Sequence, residues 1–200
     1  MYQNYIKRSI DFLVSGFFCL LCLPFFIVIA LLIKLDSKGP IFFKQKRVGK
    51  NLVTFEVLKL RTMTHQDRKV GNQPVIGKAD GVTTLGFYLR RFKIDELPQL
   101  LNVFKGHMSL VGPRPSVPEQ LEQMTEQEKH RYSVRPGLTG LSQVSGNIHL
   151  SWKERYVYDL EYVAHISLMN DVKIILKTFL IILFGEEKYL HKSKNLIKKK

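Results

Sequence analysis

The longest hydrophobic segment of this chain lies near its N-terminus. Phe12 to Ile33 contains 22 consecutive positions without a charged residue. As one straight helix it would extend about 33 Å, which is enough to cross the hydrocarbon core of a bilayer. Pro24 stands near its middle, where proline removes a backbone hydrogen bond and bends a helix. Lys7 and Arg8 precede the segment and further basic residues follow it, so the positive-inside rule favours both ends on the cytoplasmic face. Many spanning helices contain proline, so the pattern alone leaves both a spanning and a re-entrant segment open.

Shorter patterns follow this segment. Residues 40–43 and 54–58 predict two short strands, joined into a β-hairpin by a basic turn at 44–51. Residues 65–81 are polar and contain three glycines, which predicts a loop lying over a functional site. Residues 83–93 predict a short helix that ends in basic residues. The hairpin is the only strand pair that these patterns predict.

The C-terminal half is predicted to be helical. Residues 116–130 are acidic and are interpreted as a helix with a solvated face, and residues 152–164 form an amphipathic pattern. Residues 171–184 are apolar but too short to span a bilayer readily, so we expect a helix lying in the membrane interface. Residues 188–200 contain six lysines and predict a disordered tail attracted to anionic lipid. The predicted fold class is therefore α/β, mostly helical with a short β-hairpin.

Composition narrows the partners and the chemistry. The 200 residues include 31 basic and 17 acidic side chains, a net charge of +14, which implies nucleic acid, anionic lipid or a phosphorylated substrate. No nucleic-acid-binding motif is recognisable, so we expect no nucleic-acid partner. Cys19 and Cys22 have redox-like spacing, but they lie in the apolar segment without a βαβ context, so a redox role is not predicted. Two cysteines do not form a disulfide framework, which favours a reducing compartment.

Candidate chemistry concentrates between Arg90 and Pro115. Asp95 and Glu96 are adjacent carboxylates, and the Gly- and Pro-rich end of the stretch holds Arg114. If Asp95 caps the following helix, the pair is explained by helix capping alone. Adjacent residues on a helix point apart, so the pair also suits two separate roles. One carboxylate would attack a phosphorus atom, and the other would hold a metal bound to that phosphate.

This stretch resembles the core of the bacterial sugar transferases, the monotopic phosphoglycosyl transferases. Their pattern has an arginine five residues before Asp-Glu-Leu, then Pro-Gln-Leu, Asn-Val, a glycine turn, Met-Ser and Val-Gly-Pro-Arg-Pro. The residues that match are Arg90, Asp95, Glu96, Leu97, Pro98, Gln99, Leu100, Asn102, Val103, Gly106, Met108, Ser109, Val111, Gly112, Pro113, Arg114 and Pro115. His107 departs from the pattern, in which aspartate is common.

The resemblance extends over nearly the whole chain. The family's Lys-x-Arg-Thr-Met element corresponds to 59–63, and its Arg-Pro-Gly-x-Thr-Gly element corresponds to 135–140. Its closing Asp-x-x-Tyr pattern matches Asp159 and Tyr162, for which we expect a packing role. Asn147 stands where the family usually has arginine, so the substrate of this chain is not inferred from its relatives.

The activity that the resemblance implies is transfer of a phosphosugar from a UDP-sugar to polyprenyl (undecaprenyl) phosphate, with release of UMP. This would be the first membrane step of bacterial glycan assembly. Asp95 would attack the β-phosphorus and form a covalent aspartyl-phosphosugar intermediate, and Glu96 would bind Mg²⁺. The candidates for binding substrate phosphate are Lys59, Arg61, Arg90, Arg114 and Arg135.

The resemblance also implies a re-entrant helix that enters one leaflet, breaks at Pro24 and returns. The chain would then divide into a membrane anchor at 1–38, with Lys7 and Arg8 at its start, a catalytic domain at 39–185 and a basic tail at 186–200. The catalytic domain would lie on the cytoplasmic face of the bacterial inner membrane. Its expected partners are a bilayer with anionic lipids and other enzymes of glycan assembly.

A rival interpretation is a non-enzymatic membrane adaptor whose basic surface binds anionic lipid or nucleic acid. It explains the net charge and the anchor. It does not explain why Asp95 and Glu96 stand close to Gly-Pro-Arg-Pro.

Overall fold

Helices dominate the computed structural model, which describes residues 2–64 and 80–185. Within these ranges the helices are α1 (Lys7–Leu21), α2 (Leu23–Asp36), α3 (Thr84–Arg91), α4 (Gln99–Lys105), α5 (Glu126–Lys129), α6 (Leu141–Ser145), α7 (Trp152–Ala164) and α8 (Leu168–Phe184). The strands are β1 (Phe42–Val48), β2 (Thr54–Leu60), β3 (Ser109–Val111) and β4 (Gly137–Thr139). The predicted loop at 65–81 lies outside the described residues except for its last two positions, and the predicted tail at 186–200 lies outside them entirely.

The predicted hairpin is confirmed, with longer strands than expected. Strands β1 and β2 pair antiparallel, with Phe42 opposite Leu60 and Val48 opposite Thr54. Residues 44–47 were assigned to the turn, but they belong to β1. Lys44 and Lys46 are exposed and alternate with the half-buried Gln45 and Arg47 while the backbone pairs with β2, so a polar run is compatible with a strand here. A second, parallel pair formed by β3 and β4 was not predicted, because each strand has only three residues.

The apolar N-terminal segment forms two helices rather than one. Helix α1 ends at Leu21, α2 begins at Leu23, and their axes are bent by 58°. Pro24 lies in the first turn of α2, where a missing N–H costs little. No single helix in the described part of the chain is long and apolar enough to cross a membrane, whereas α1 and α2 reach that length and composition only as a bent pair. The bend at the proline therefore agrees with the sequence.

Helix α1 is amphipathic, but its polar face is buried and its apolar face is exposed. It buries Asp11 and Ser15 against the rest of the protein and exposes Leu13, Phe17 and Leu20. It packs on α4, and a Cβ atom at Gly16 would lie 3.1 Å from the ring of Phe104. The backbone N–H of Leu110 donates to Asp11 at 2.9 Å. Both halves of the predicted anchor thus contact the predicted catalytic domain, α1 through these contacts and α2 through Ile29 and Ile33, which share a core cluster with Leu60 and Leu89.

The acidic segment 116–130 is not one solvated helix. It forms a 3₁₀ turn at Pro118–Gln123, an extended residue at Met124 and the short helix α5. Thr125 starts α5 with a capping box to Glu128, which breaks the segment in two. Met124 is buried in a core cluster with Val48. The segment therefore contributes to the core, although its acidic composition predicted a solvated helix.

The predicted interfacial segment forms part of α8. This helix begins after Ser167, whose side chain accepts a hydrogen bond from the backbone N–H of Asn170. It buries Ile174 on one side. Its other side exposes a row of apolar residues comprising Met169, Val172, Leu176, Phe179, Leu180, Leu183 and Phe184. Among the large apolar side chains that are exposed in the described structure, most belong to α1, α2 and α8.

Candidate active site

The two predicted catalytic carboxylates lie in a 3₁₀ turn, Ile94–Glu96, between α3 and α4. Asp95 was considered as the cap of the following helix, but the residue at the N-cap of α4 is Pro98. Asp95 precedes the helix by four positions and forms no hydrogen bond within the described residues. Helix capping therefore does not account for this side chain.

Glu96 is held by two cations. Lys59 Nζ on β2 and Arg114 Nη2 donate to the same oxygen, Glu96 Oε1, at 2.7 and 2.8 Å. Burial alone would raise the pKa of Glu96, but Arg114 and Lys59 together hold it well below its ordinary value. Glu96 is therefore ionised at neutral pH. Burial also lowers the pKa of Lys59, and the negative charge of Glu96 opposes that effect.

Asp95 has the opposite electrostatic environment. It is buried, and burial together with the neighbouring charge of Glu96 raises its pKa to about 6, although Lys59, Lys93 and Arg90 act against this shift. A carboxylate of higher pKa is more basic and hence a better nucleophile once ionised. The turn thus places two adjacent carboxylates in different environments: Glu96 is an anion paired with two cations, and the Asp95 side chain has a raised pKa and no described hydrogen bond.

Further cations surround the pair. Arg90 lies in the last turn of α3, and Lys93 adopts a left-handed backbone (φ 58°) immediately before the 3₁₀ turn. Arg47 on β1 is mostly buried, and burial together with the charge of Arg114 lowers its pKa to about 10. Sequence reasoning identified Arg90 but missed Lys93 and Arg47. Arg47 belongs to a run of basic residues, and no signal in that run separates it from the exposed Lys44 and Lys46.

The loop that carries Arg114 is fixed by its backbone. Arg131 donates to the carbonyl oxygen of Arg114 at 2.6 Å, and Arg47 donates to that of Pro115 at 3.2 Å. At Gly112 a Cβ atom would lie 2.5 Å from the carbonyl oxygen of Arg135, so only glycine allows this approach between the two loops. These contacts hold the Arg114 side chain where it can reach Glu96.

The Asp-x-x-Tyr pair lies behind this loop. Arg131, which sequence reasoning also missed, forms a buried ion pair with Asp159. Ser142 Oγ donates to the other carboxylate oxygen of Asp159 at 2.8 Å. The Tyr162 hydroxyl contacts Asp171 and the carbonyl oxygen of Val111. Both Asp159 and Tyr162 thus have the packing environment that we expected.

Arg61, a predicted phosphate ligand, is not brought to the carboxylates. It is buried and donates to the carbonyl oxygens of Ile33 and Ser37 at the end of α2. Because β2 ends at Leu60, the alternation that would place Arg61 on the same face as Lys59 no longer applies. Its observed position connects the second anchor helix to the hairpin.

Arg135 and the two anchor cations also lie away from the pair. Arg135 Nε donates to the carbonyl oxygen of Gly106 at 2.9 Å, at the opposite end of α4. Arg8 donates to the carbonyl oxygens of Val103 and Phe104, also at that end. Lys7 forms an ion pair with Asp171. Lys7 and Arg8, predicted only as flanking charges, thus stabilise the protein itself.

The donor set fits one magnesium ion. Within residues 2–64 and 80–185, no group of three or more His, Cys, Asp and Glu side chains that would hold a metal by itself is present. Mg²⁺ is, however, often bound by one or two carboxylates and completed by substrate phosphate and water. Glu96 is ionised, and both of its described hydrogen bonds go to Oε1, so Oε2 remains available for a cation.

Asn147, the departure from the family pattern, lies in a 3₁₀ turn at Asn147–His149. Its backbone is left-handed (φ 42°), a conformation that asparagine tolerates better than most residues. The local backbone is thus compatible with asparagine at this position.

Comparison with known proteins gives a consistent result. A family model described as bacterial sugar transferase matches residues 2–185. The chain is 39% identical over 196 residues to the UDP-glucose:undecaprenyl-phosphate glucose-1-phosphate transferase of Caulobacter vibrioides, covering 92% of this chain and 72% of that protein. It is 37% identical over 193 residues to the exopolysaccharide production protein ExoY of Rhizobium meliloti, covering 86% and 83%. It is 40% identical over 184 residues to the undecaprenyl-phosphate glucose phosphotransferase of Komagataeibacter xylinus, covering 86% of this chain and 35% of that longer protein.

Proposed function

This chain belongs to the bacterial sugar transferase family, and we propose that it transfers a phosphosugar from a UDP-sugar to polyprenyl phosphate and releases UMP. The observation that supports this most is the carboxylate pair, in which Glu96 is held as an anion by Lys59 and Arg114 while the pKa of Asp95 is raised to about 6. Undecaprenyl-phosphate acceptors and a UDP-glucose donor are named for the relatives in Caulobacter vibrioides and Komagataeibacter xylinus.

In the first step an oxygen of ionised Asp95 attacks the β-phosphorus of the UDP-sugar. The new bond is an acyl phosphate, and the bond between this phosphorus and the oxygen that bridges to the α-phosphate breaks. The electron pair leaves with UMP. Asp95 is suited to this attack because its raised pKa makes the carboxylate more basic while it is still ionised at pH 7.

In the second step a phosphate oxygen of polyprenyl phosphate attacks the same phosphorus. The bond to Asp95 breaks, its carboxylate is restored, and the product is a polyprenyl diphosphosugar. Splitting the transfer in two allows one soluble and one membrane-bound substrate to use the site in turn.

The surrounding cations match the charge of a diphosphate. Five described cations, Arg47, Lys59, Arg90, Lys93 and Arg114, are electrostatically coupled to the two carboxylates, which leaves a surplus of three positive charges. Such a surplus is repulsive in the free protein and favours a dianionic ligand. Charge-assisted hydrogen bonds from arginine also stabilise the charge that develops on phosphate oxygens. Mg²⁺ held by Glu96 would add neutralisation of the diphosphate.

The exposed apolar faces support a membrane location. Helix α1 buries its polar residues and exposes leucine and phenylalanine, which is stable only if that face is covered by an apolar phase or a partner. The apolar face of α8 is exposed as well. A re-entrant α1–α2 pair would keep residues 1–8 and the catalytic domain on the cytoplasmic face of the inner membrane. The active site would then reach soluble UDP-sugar and the lipid phosphate from the same side.

Measurement of UMP release tests this proposal against the adaptor interpretation. Membranes containing polyprenyl phosphate and Mg²⁺ are supplied with a panel of UDP-sugars. An enzyme releases UMP with at least one of them, and membranes without the protein release none. An adaptor leaves every UDP-sugar intact.

A further inference from the structure

A second cationic cavity lies at the end of α4 remote from the carboxylate pair. It has a volume of about 150 Å³ and is lined by residues that include Lys7, Arg8, Asp11, Lys50, Ser109 and Arg135. Arg8 and Arg135 both contact carbonyl oxygens at the C-terminal end of α4, whereas Asp95 and Glu96 precede its N-terminal end. Helix α4 has seven residues and is therefore about 10 Å long. The cavity is thus separate from the candidate active site.

Some of the cationic side chains in this cavity are paired within the protein, whereas others have N–H groups without a described partner. Arg8 satisfies two carbonyl oxygens, and Lys7 is neutralised by Asp171. Arg135 uses only Nε, so both of its terminal nitrogens make no hydrogen bond within the described structure. Lys50 is exposed in the hairpin turn and makes no described hydrogen bond or ion pair. Two arginine nitrogens and one ammonium group therefore remain to bind an anion.

Ser109 and Asp11 are neighbours in the same cavity. Ser109 is 1% exposed, and its hydroxyl lies beside the Asp11 carboxylate, where hydrogen bonding to it acts to lower the pKa of Asp11 against the effect of burial. The Ser109 hydroxyl is therefore accounted for within the protein. Asp11 is the one carboxylate among the six residues, so Arg8, Lys50 and Arg135 leave the cavity with a positive surplus.

The size and position of the cavity restrict the ligand. Pockets for drug-sized ligands measure roughly 300–1,000 Å³, so this cavity suits a phosphate-sized group rather than a whole nucleotide. Ile166 lines it, and the exposed apolar residues Leu168 and Met169 follow two and three positions later in the chain. A phosphate group attached to an acyl chain would therefore find cations inside the cavity and apolar surface beside it.

We propose that this cavity binds the headgroup phosphate of an anionic phospholipid, with Lys50 and Arg135 as its donors. The choice of a lipid rests on the membrane location proposed above. A free phosphate ion has the same binding chemistry, so the test includes it as a separate arm. Binding here would place the hairpin turn and the N-terminus of α1 against the headgroups. This contact would also determine how the active site is oriented relative to the membrane.

Native mass spectrometry of the full chain in a non-ionic detergent tests the proposal directly. The protein is titrated with phosphatidylglycerol, with phosphatidylcholine and, in a separate arm, with inorganic phosphate. Lys50→Gln removes one charge from the cavity, and Lys46→Gln removes the same charge from an exposed position of the same hairpin. We expect phosphatidylglycerol to bind more tightly than phosphatidylcholine, and Lys50→Gln to weaken it roughly tenfold, the loss of a charge-assisted hydrogen bond. Lys46→Gln should bind like the parent.

Several results would overturn the proposal. Equal losses in Lys50→Gln and Lys46→Gln would show diffuse surface attraction instead of a site, as would equal binding of the two lipids. Tight binding of inorganic phosphate that depends on Lys50 and displaces the lipid would assign the cavity to a soluble phosphate. Asp95→Asn should keep the parental lipid affinity, so a failure of the proposed transfer reaction is distinguishable from a failure of this site.

Discussion

Asp95 and Glu96 are adjacent, yet their replacement by neutral amides should change stability in opposite directions. Burial and the charge of Glu96 raise the pKa of Asp95 from 3.8 to about 6. Ionised Asp95 therefore destabilises the native state, and Asp95→Asn removes that charge while keeping the size of the side chain. Arg114 and Lys59 hold the pKa of Glu96 well below 4.5 despite its burial, so Glu96→Gln removes a stabilising anion.

The size of the stability change at Asp95 follows from the linkage between proton binding and folding. At low pH the side chain is neutral in the folded and unfolded states, so Asp95 and its amide contribute equally. As pH rises through 3.8 the unfolded state ionises first, and the native state loses stability until pH passes 6. The full penalty above pH 6 is about 3 kcal/mol, because a tenfold change in an equilibrium constant corresponds to about 1.4 kcal/mol. About half of this penalty is present at pH 5.

Thermal unfolding of the detergent-solubilised protein at pH 5 and pH 8 measures both effects. For a protein of this size about 3 kcal/mol corresponds to a rise of roughly 6–12 °C, so Asp95→Asn should melt higher than the parent, with the larger gain at pH 8. Glu96→Gln leaves Lys59 and Arg114 without their shared anion and should melt lower at both pH values, by the equivalent of about 3 kcal/mol. A lower melting temperature for Asp95→Asn, or a gain that does not change with pH, would refute the assigned environment.

Three further predictions concern activity and the anchor. Arg114→Ala should lose a charge-assisted bond of about 1.5–3 kcal/mol, a roughly tenfold to hundredfold decrease in UMP release, whereas an unchanged rate would make Arg114 a loop residue only. Chelation should stop UMP release and added Mg²⁺ should restore it; full activity in excess chelator would contradict the role of Glu96 as a metal ligand. Proline costs about 3 kcal/mol in the interior of a continuous helix, so Pro24→Leu should straighten the anchor. If a single cysteine is introduced at exposed position 5 and the native cysteines are removed, this cysteine should react with an impermeant reagent in intact cells when Pro24 is replaced. Labelling of the same cysteine in the protein that keeps Pro24 would contradict re-entry.

Much of the candidate site could be predicted because its residues lie in one contiguous stretch. Asp95, Glu96 and Arg114 fall within 20 positions, and the resemblance added Lys59 and Arg90. The structure brings these five side chains together. The environment of each carboxylate could not be predicted, because it depends on which cation contacts which oxygen.

Some predicted site residues lie away from the carboxylates. Arg61 was predicted together with Lys59 from the Lys-x-Arg-Thr-Met element, but β2 ends one residue before Arg61, and its side chain contacts the end of α2. Arg135 was assigned to substrate phosphate, and the structure places it at the far end of α4. Arg47 and Lys93 were missed because a basic strand and a left-handed turn residue carry no distinctive local pattern. The coarse fold was easier to predict, since the bend near Pro24 and the hairpin depend on local signals.

The central claim is that Asp95 carries the phosphosugar. Mass spectrometry of the protein, intact and after proteolysis, tests it most directly after brief exposure to its UDP-sugar without polyprenyl phosphate. The parent should gain the mass of one sugar phosphate on the peptide containing Asp95 and release a matching amount of UMP. Asp95→Asn should show neither the adduct nor UMP while remaining folded. UMP release at the parental rate by Asp95→Asn, or turnover by the parent with the adduct on another residue, would contradict the account.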